Sequence, residues 1–138
     1  LAKILDRLKG KRPTYPIAID VEDDGTKAAK GGWNYTNVNR NAKFLLEGLE
    51  KAGYYPMLYT GFEEIENYID ESVWRKYDMW WAQWATRCGY PGDNLGMWQF
   101  GGETNYICSP YIEGEIFDQN YAYKDYSEIM KKWGLNGF

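Results

Sequence analysis

The stretch YPIAIDVEDDG, Tyr15 to Gly25, sets four carboxylates directly behind a short apolar run. Tyr15 to Val21 follows Pro13 and is rich in β-formers, so it reads as a buried strand with a polar tip at its carboxyl end. Asp23 to Asn34 carries Gly25, Gly31 and Gly32 among Asp, Thr and Lys, and reads as loop. Asp20 and Glu22 thus stand where a strand hands over to a loop. The fold around that strand decides what the acids are for.

Working outward, Leu1, Ile4, Leu5 and Leu8 make an apolar stripe at i, i+3, i+4, i+7, and residues 1–11 read as an amphipathic helix ended by Gly10 and Pro13. Beyond the loop, Thr36 is the expected N-cap of a helix whose apolar face is Val38, Ala42, Leu45, Leu46 and Leu49, with Gly53 as its stop. YYPMLYT is a second strand, and GFEEIENYI and DESVWRKY are short helices, the second capped by Asp70 or Ser72. DMWWAQWA is a third strand ending near Ala85. After the turn-rich CGYPGDNLG comes a fourth, GMWQFGG. A turn and a last strand follow in YIEGEIFDQNYAY, then a terminal helix in KDYSEIMKKWG. No repeat, linker or low-complexity tract is present. Helices alternating with strands imply an α/β fold with parallel strands and helices packed outside them. Such folds bind ligands at the carboxyl ends of their strands, which is where Asp20 and Glu22 lie.

Three readings of the acidic cluster compete. Asp20 to Gly25 loosely follows the first half of a calcium loop, but position 12, a bidentate Glu in such loops, is Gly31, and the pattern here follows a strand rather than a helix. Acids at a strand end are also ordinary solvated residues. The third reading is a catalytic pair. Residues i and i+2 of a strand project to the same side, about 6.5–7 Å apart at Cα, so Asp20 and Glu22 face one pocket. Glycoside cleavage needs a protonated acid for the leaving oxygen and a second carboxylate for the developing cation. Two carboxylates so close also favour a proton on one of them. Asp23 and Asp24 lie past the strand and are expected to meet solvent.

Composition narrows the classes. At 138 residues and 44% hydrophobic the chain suffices for one domain with a core. Net charge is −4 with both signs interspersed, which argues against a nucleic-acid partner. No run approaches the ~20 apolar residues of a membrane span. The absence of histidine removes Ser-His, Cys-His and His-zinc chemistry, leaving acid–base work to Asp, Glu, Tyr, Lys or Cys. Cys88 and Cys108 fit either one disulfide, which their turn-rich settings favour, or two independent thiols. Aromatic residues make up 18%, with seven Trp and thirteen Tyr. They serve either a Trp- and Tyr-rich core or a carbohydrate site where flat rings stack on sugars.

Five segments, YPIAIDVED, GYYPMLYT, DMWWAQWA, MWQF and EGEIFDQNYAY, resemble in order and rough spacing glycoside hydrolase family 25, the lysozyme-type N-acetylmuramidases that cut peptidoglycan. The resemblance covers nearly the whole chain. It implies an irregular (β/α) TIM-like barrel, with Glu22 as general acid and Asp20 stabilising the transition state or orienting the substrate's N-acetyl group. The family's V-D-x-N segment matches Phe117-Asp118-Gln119-Asn120, with Phe for Val, and places Asp118 in the site. Tyr59, Trp80 and Gln99 are the implied substrate-binding residues. By alternation Trp80, Ala82 and Trp84 share one face of their strand and Trp81 and Gln83 the other; the family pattern turns Trp80 to the pocket and Trp81 to the helices.

One departure matters: family members are longer and begin with a strand carrying another active-site Asp, which nothing here matches. Residues 1–138 are therefore expected to be the C-terminal two-thirds of a single catalytic domain, a partial barrel missing its first strands, with a separate N-terminal piece as a candidate partner. The expected function is cleavage of the β-1,4 bond between N-acetylmuramic acid and N-acetylglucosamine, with no metal or cofactor. The expected partners are peptidoglycan glycan strands, with no nucleic acid and no membrane. The expected location is the cell wall or the extracellular space, reached by secretion or phage release. Two rivals are a non-catalytic glycan-binding remnant and a domain binding a divalent cation through Asp20, Glu22 and Asp24.

Overall fold

The computed structural model describes residues 1–23, 32–102, 111–112 and 115–138. The elements are α1 (Ala2–Leu8), β1 (Ile17–Asp20), α2 (Tyr35–Lys51), β2 (Pro56–Thr60), α3 (Phe62–Asn67), α4 (Glu71–Trp74), β3 (Asp78–Ala82), β4 (Leu95–Gly101), β5 (Tyr111–Ile112), β6 (Glu115–Ile116), β7 (Gln119–Ala122) and α5 (Tyr126–Trp133). Five strands form one sheet in the order β1-β2-β3-β4-β7, and β5 and β6 pair separately. β1 to β4 are parallel, as the helix–strand alternation predicts, and β7 returns antiparallel to β4. Among the described residues β1 pairs only with β2 and β7 only with β4, so the sheet is open.

The period-2 projection of strand side chains divides the sheet into two faces. Ile19, Val21, Leu58, Met79, Trp81, Trp98 and Phe100 point outward and form the main core with the apolar stripes of α2 and α4. Leu46, Leu49, Leu58, Met79 and Trp81 have no exposed surface. Each such side chain contributes about 1.5–3 kcal/mol of burial. On the inner face, Met57 and Met97 meet Tyr126 and Met130 of α5, which closes the end of the sheet where the strands begin. Gly96 permits that approach: a Cβ there would collide with the Tyr126 hydroxyl and lie 2.9 Å from Met57 Cε.

Local chemistry sets the helix ends, with one correction. The N-cap of α2 is Asn34, whose side chain accepts from the Asn37 N–H at 3.0 Å, and Thr36 lies inside the helix. Both residue types can cap, and the extended backbone at Asn34 (φ −149°, ψ 161°) decides it. At the other end Gly53, at φ 82°, donates to Glu50 O while Tyr54 donates to Leu49 O. That is the paired-bond stop for which a left-handed glycine is suited. Asp70 caps α4, accepting from the Ser72 N–H. Cys88 is half-buried; Cys108 and any disulfide to it fall outside the described residues. No described helix is long and apolar enough to cross a membrane.

Candidate active site

The acids owe their direction to hydrogen bonds that extend β1 beyond Asp20. The Val21 N–H donates to Tyr59 O at 2.9 Å, and the buried Thr60 hydroxyl donates to Val21 O at 2.7 Å. The backbone therefore stays extended through Val21. With Ile19 and Val21 turned into the helix-covered core, Ala18, Asp20 and Glu22 must face the other side. Tyr59 stands beside Asp20 in register and Trp80 beside Tyr59. Asp118 immediately precedes β7, the neighbour of β4. Ala18, Asp20, Glu22, Tyr59, Trp80, Gln99 and Asp118 line one cavity of about 370 Å³ at the carboxyl ends of the parallel strands. All six candidate residues from the sequence meet there.

Each aromatic or amide group in the cleft is held by a second residue. The Trp80 indole donates to Asn120 Oδ1 at 2.7 Å, and its ring stands edge-on to Tyr59 with centroids 5.0 Å apart. Gln99 Oε1 accepts from the Tyr59 hydroxyl at 3.1 Å and from Trp84 Nε1 at 2.9 Å. Burial, and then the charges of Glu22, Asp20 and Asp118, hold the ionisation of Tyr59 well above the usual tyrosine range. Its hydroxyl is therefore a neutral hydrogen-bonding group across the physiological range. Three carboxylates beside flat rings and a buried amide can do acid–base work on a polyhydroxylated ligand whose apolar faces stack on those rings.

Two further residues belong to this constellation. Trp84 lies beyond the end of β3 and is 39% exposed, yet its N–H reaches Gln99 and its ring borders Gly102, where an added Cβ would come within 2.8 Å of it and into Asp118 Oδ1. Alternation put it on the Trp80 face, a signal that pointed here. Asn120, opposite Gln99 in register, fixes Trp80; the matched V-D-x-N pattern contained it. Trp81, turned away from the cleft, is completely buried. Asp23 departs from the solvated reading: it is half-buried, and its N–H donates to Glu64 Oε1 of α3 at 3.3 Å. This contact of Asp23 with α3 spans 41 positions of sequence, which local spacing does not reveal. Asp24 and Gly31, which the calcium reading needs, lie outside the described residues.

A family profile for glycosyl hydrolases family 25 matches residues 2–107, which include every candidate except Asp118. Comparison with curated proteins finds no match. Among solved structures, a family 25 glycosyl hydrolase from Bacillus anthracis is similar with a TM-score of 0.63 at 22% identity, over 85% of this chain and 54% of that one. The CTP1L endolysin is similar with a TM-score of 0.62 at 16% identity, over 93% of this chain and 42% of that one. At these identities the likeness is one of fold, and the chain spans about half the length of the structures it matches. The open five-stranded α/β sheet corresponds to part of their architecture. With the profile spanning α1 through β4, the chain belongs to glycosyl hydrolases family 25.

Proposed function

We propose that the chain is part of a lysozyme-type peptidoglycan hydrolase that cleaves the β-1,4 bond between N-acetylmuramic acid and N-acetylglucosamine. Glu22 gives its proton to the glycosidic oxygen as the bond to the anomeric carbon breaks. Asp20 offsets the positive charge that develops on the sugar, directly or by orienting the N-acetyl group, and Asp118 supports the pair. Water then adds at the anomeric carbon and returns a proton to Glu22. Tyr59, Trp80 and Gln99 contact the sugars. The observation that carries the reading is the convergence of Asp20, Glu22 and Asp118 with these three on one cleft at the strand ends of a family 25 chain. The substrate sets the site of action, the cell wall, reached by secretion or by phage release.

The test is release of reducing ends from purified peptidoglycan by the chain and by Glu22→Gln. Loss of the general acid is expected to cost on the order of 10²-fold or more; equal turnover by the two removes Glu22 from that role.

A second reading is favoured by one observation, the edge at β1 left open among the described residues in a chain that spans about half the length of the structures it matches. In it, residues 1–138 are the C-terminal two-thirds of one catalytic domain, and a further segment, contiguous or separate, adds strands beside β1. Without that segment the chain binds glycan and does not cut it. Binding of peptidoglycan fragments without turnover, restored by adding the segment, decides for this reading. Inertness of the longer chain too makes the protein a glycan-binding module.

A further inference from the structure

Glu22 lies just past the end of β1, and two buried side chains hold the backbone on either side of it. The Thr60 hydroxyl donates to Val21 O at 2.7 Å, and Glu64 Oε1 accepts from the Asp23 N–H at 3.3 Å. Val21 O belongs to the peptide unit before Glu22, and the Asp23 N–H to the unit after it. Each unit is planar, so only the two soft dihedrals of Glu22 relate one to the other. Pinning both planes fixes those dihedrals, and with them the direction in which the Glu22 side chain leaves the backbone. Thr60 ends β2 and is fully buried; Glu64 stands in the first turn of α3 and is 7% exposed. One strand–helix junction thus supplies the donor that the carbonyl needs and the acceptor that the N–H needs.

We propose that Glu64 is a positioning residue which, with Thr60, clamps the two peptide units flanking Glu22 and so aims the Glu22 carboxyl group into the cleft. The inference rests on Glu22 being the acid of the proposed reaction, and gives that acid a cause for its fixed direction. Glu64 itself touches no substrate in this scheme and exchanges no proton; it acts only through the backbone of Asp23.

The needs of α3 alone do not account for Glu64. A glutamate is seldom buried this far without a charged partner, because its carboxylate loses water that must be replaced. Among the described residues no Lys or Arg forms an ion pair with it. In a capping box the Glu at this third helical position turns back to the N-cap N–H and closes the helix on itself. Here Oε1 is engaged by the N–H of Asp23, 41 positions earlier in the chain. The N-cap of α3 is Gly61, which leaves the carboxylate its space: a Cβ there would stand 3.3 Å from Glu64 Oε2 and 3.5 Å from Ala82 O. The carboxylate therefore lies across the ends of the strands, on the side from which it reaches the residue after Glu22.

Glu64→Met keeps the length of the side chain and deletes the acceptor, whereas Glu64→Gln keeps an acceptor oxygen. Exchange of the Asp23 amide hydrogen with deuterium, followed by NMR, is expected to quicken about five- to tenfold in Glu64→Met and to stay near the parent rate in Glu64→Gln. Turnover of peptidoglycan is measured with the chain, or with the chain completed by the further segment of the second reading. There kcat is expected to fall roughly 10- to 100-fold in Glu64→Met with KM little changed, and to be largely kept in Glu64→Gln. Thr60→Val replaces the hydroxyl by a methyl and is expected to lower kcat in the same way, while Thr60→Ser retains it. That pair keeps the test decisive if Glu64→Met folds poorly. A side chain that only stabilised α3 would lower the urea midpoint and leave kcat unchanged at saturating substrate, and this result overturns the positioning role. So does an unmoved Asp23 exchange rate in folded Glu64→Met, or a Glu64→Gln variant as slow as Glu64→Met. The exchange reading needs no turnover, so the two conclusions fail separately. Full activity of Glu22→Gln, or inertness of every form, removes the acid and the positioning role with it; undiminished kcat in Glu64→Met removes the clamp alone.

Discussion

Asp78 gathers donors at the closed end of the sheet much as Gln99 does in the cleft. Its carboxylate accepts from the Tyr55 and Tyr126 hydroxyls, each at 2.9 Å, and from Lys124 Nζ at 2.6 Å, with its side chain only 10% exposed. Removing one member of such a buried group leaves the others unpaired, which costs more than the bonds themselves contribute. Asp78→Ala is therefore expected to lower stability by about 3 kcal/mol, read as a reduced urea midpoint with an unchanged slope. In the sequence Asp78 is merely the first residue of DMWWAQWA, because its partners lie 23, 46 and 48 positions away. Asp20 and Glu22 were legible for the opposite reason: two residues apart on a strand, their shared direction follows from local backbone geometry alone.

Among the elements, strands and helices were read nearly where they lie, because a period of 2 or 3.6 in apolar residues is a local property. β3 shows the reach of that rule. Alternation separates Trp80, in the cleft, from Trp81, in the core, without any tertiary information. Helix termini are less determined. Asn34 and Thr36 both offer a side-chain oxygen, and only the path of the incoming loop makes Asn34 the cap of α2. Asn34→Ala should cost about 1 kcal/mol and Thr36→Ala a few tenths at most. Thermal melts of the two variants compared with the parent check the difference, and the reverse order would return the cap to Thr36.

At the scale of the whole molecule, the C-terminus is tied to the beginning of the sheet. Asn136, fully buried and at φ 54°, accepts from the Tyr55 N–H and donates to Pro13 O and Tyr15 O. The many tyrosines that composition left open between core and site serve both, and they give the fold an alkaline limit. Burial is the largest cause holding the ionisation of Tyr55, Tyr59, Tyr90 and Tyr126 above the usual tyrosine value. Below about pH 10 these groups are protonated in native and unfolded chains alike, and contribute no pH dependence. Above it the unfolded chain loses protons that the native chain keeps, so stability falls as pH rises. Urea midpoints are expected to be flat from pH 8 to about 9.5 and to drop steadily beyond about 10; a flat profile through about pH 11.5 would contradict this assignment.

What the sequence by itself determined was direction: which residues of a strand share a face, which stripe of a helix is apolar, and that D-x-E ends a strand, since each follows from the geometry of a few consecutive peptides. The tertiary structure decided partnership. The meeting of Trp84 with Gln99, Asp78 with Tyr126 and Asn136 with Tyr55 depends on how the crossovers pack, and no local period encodes that.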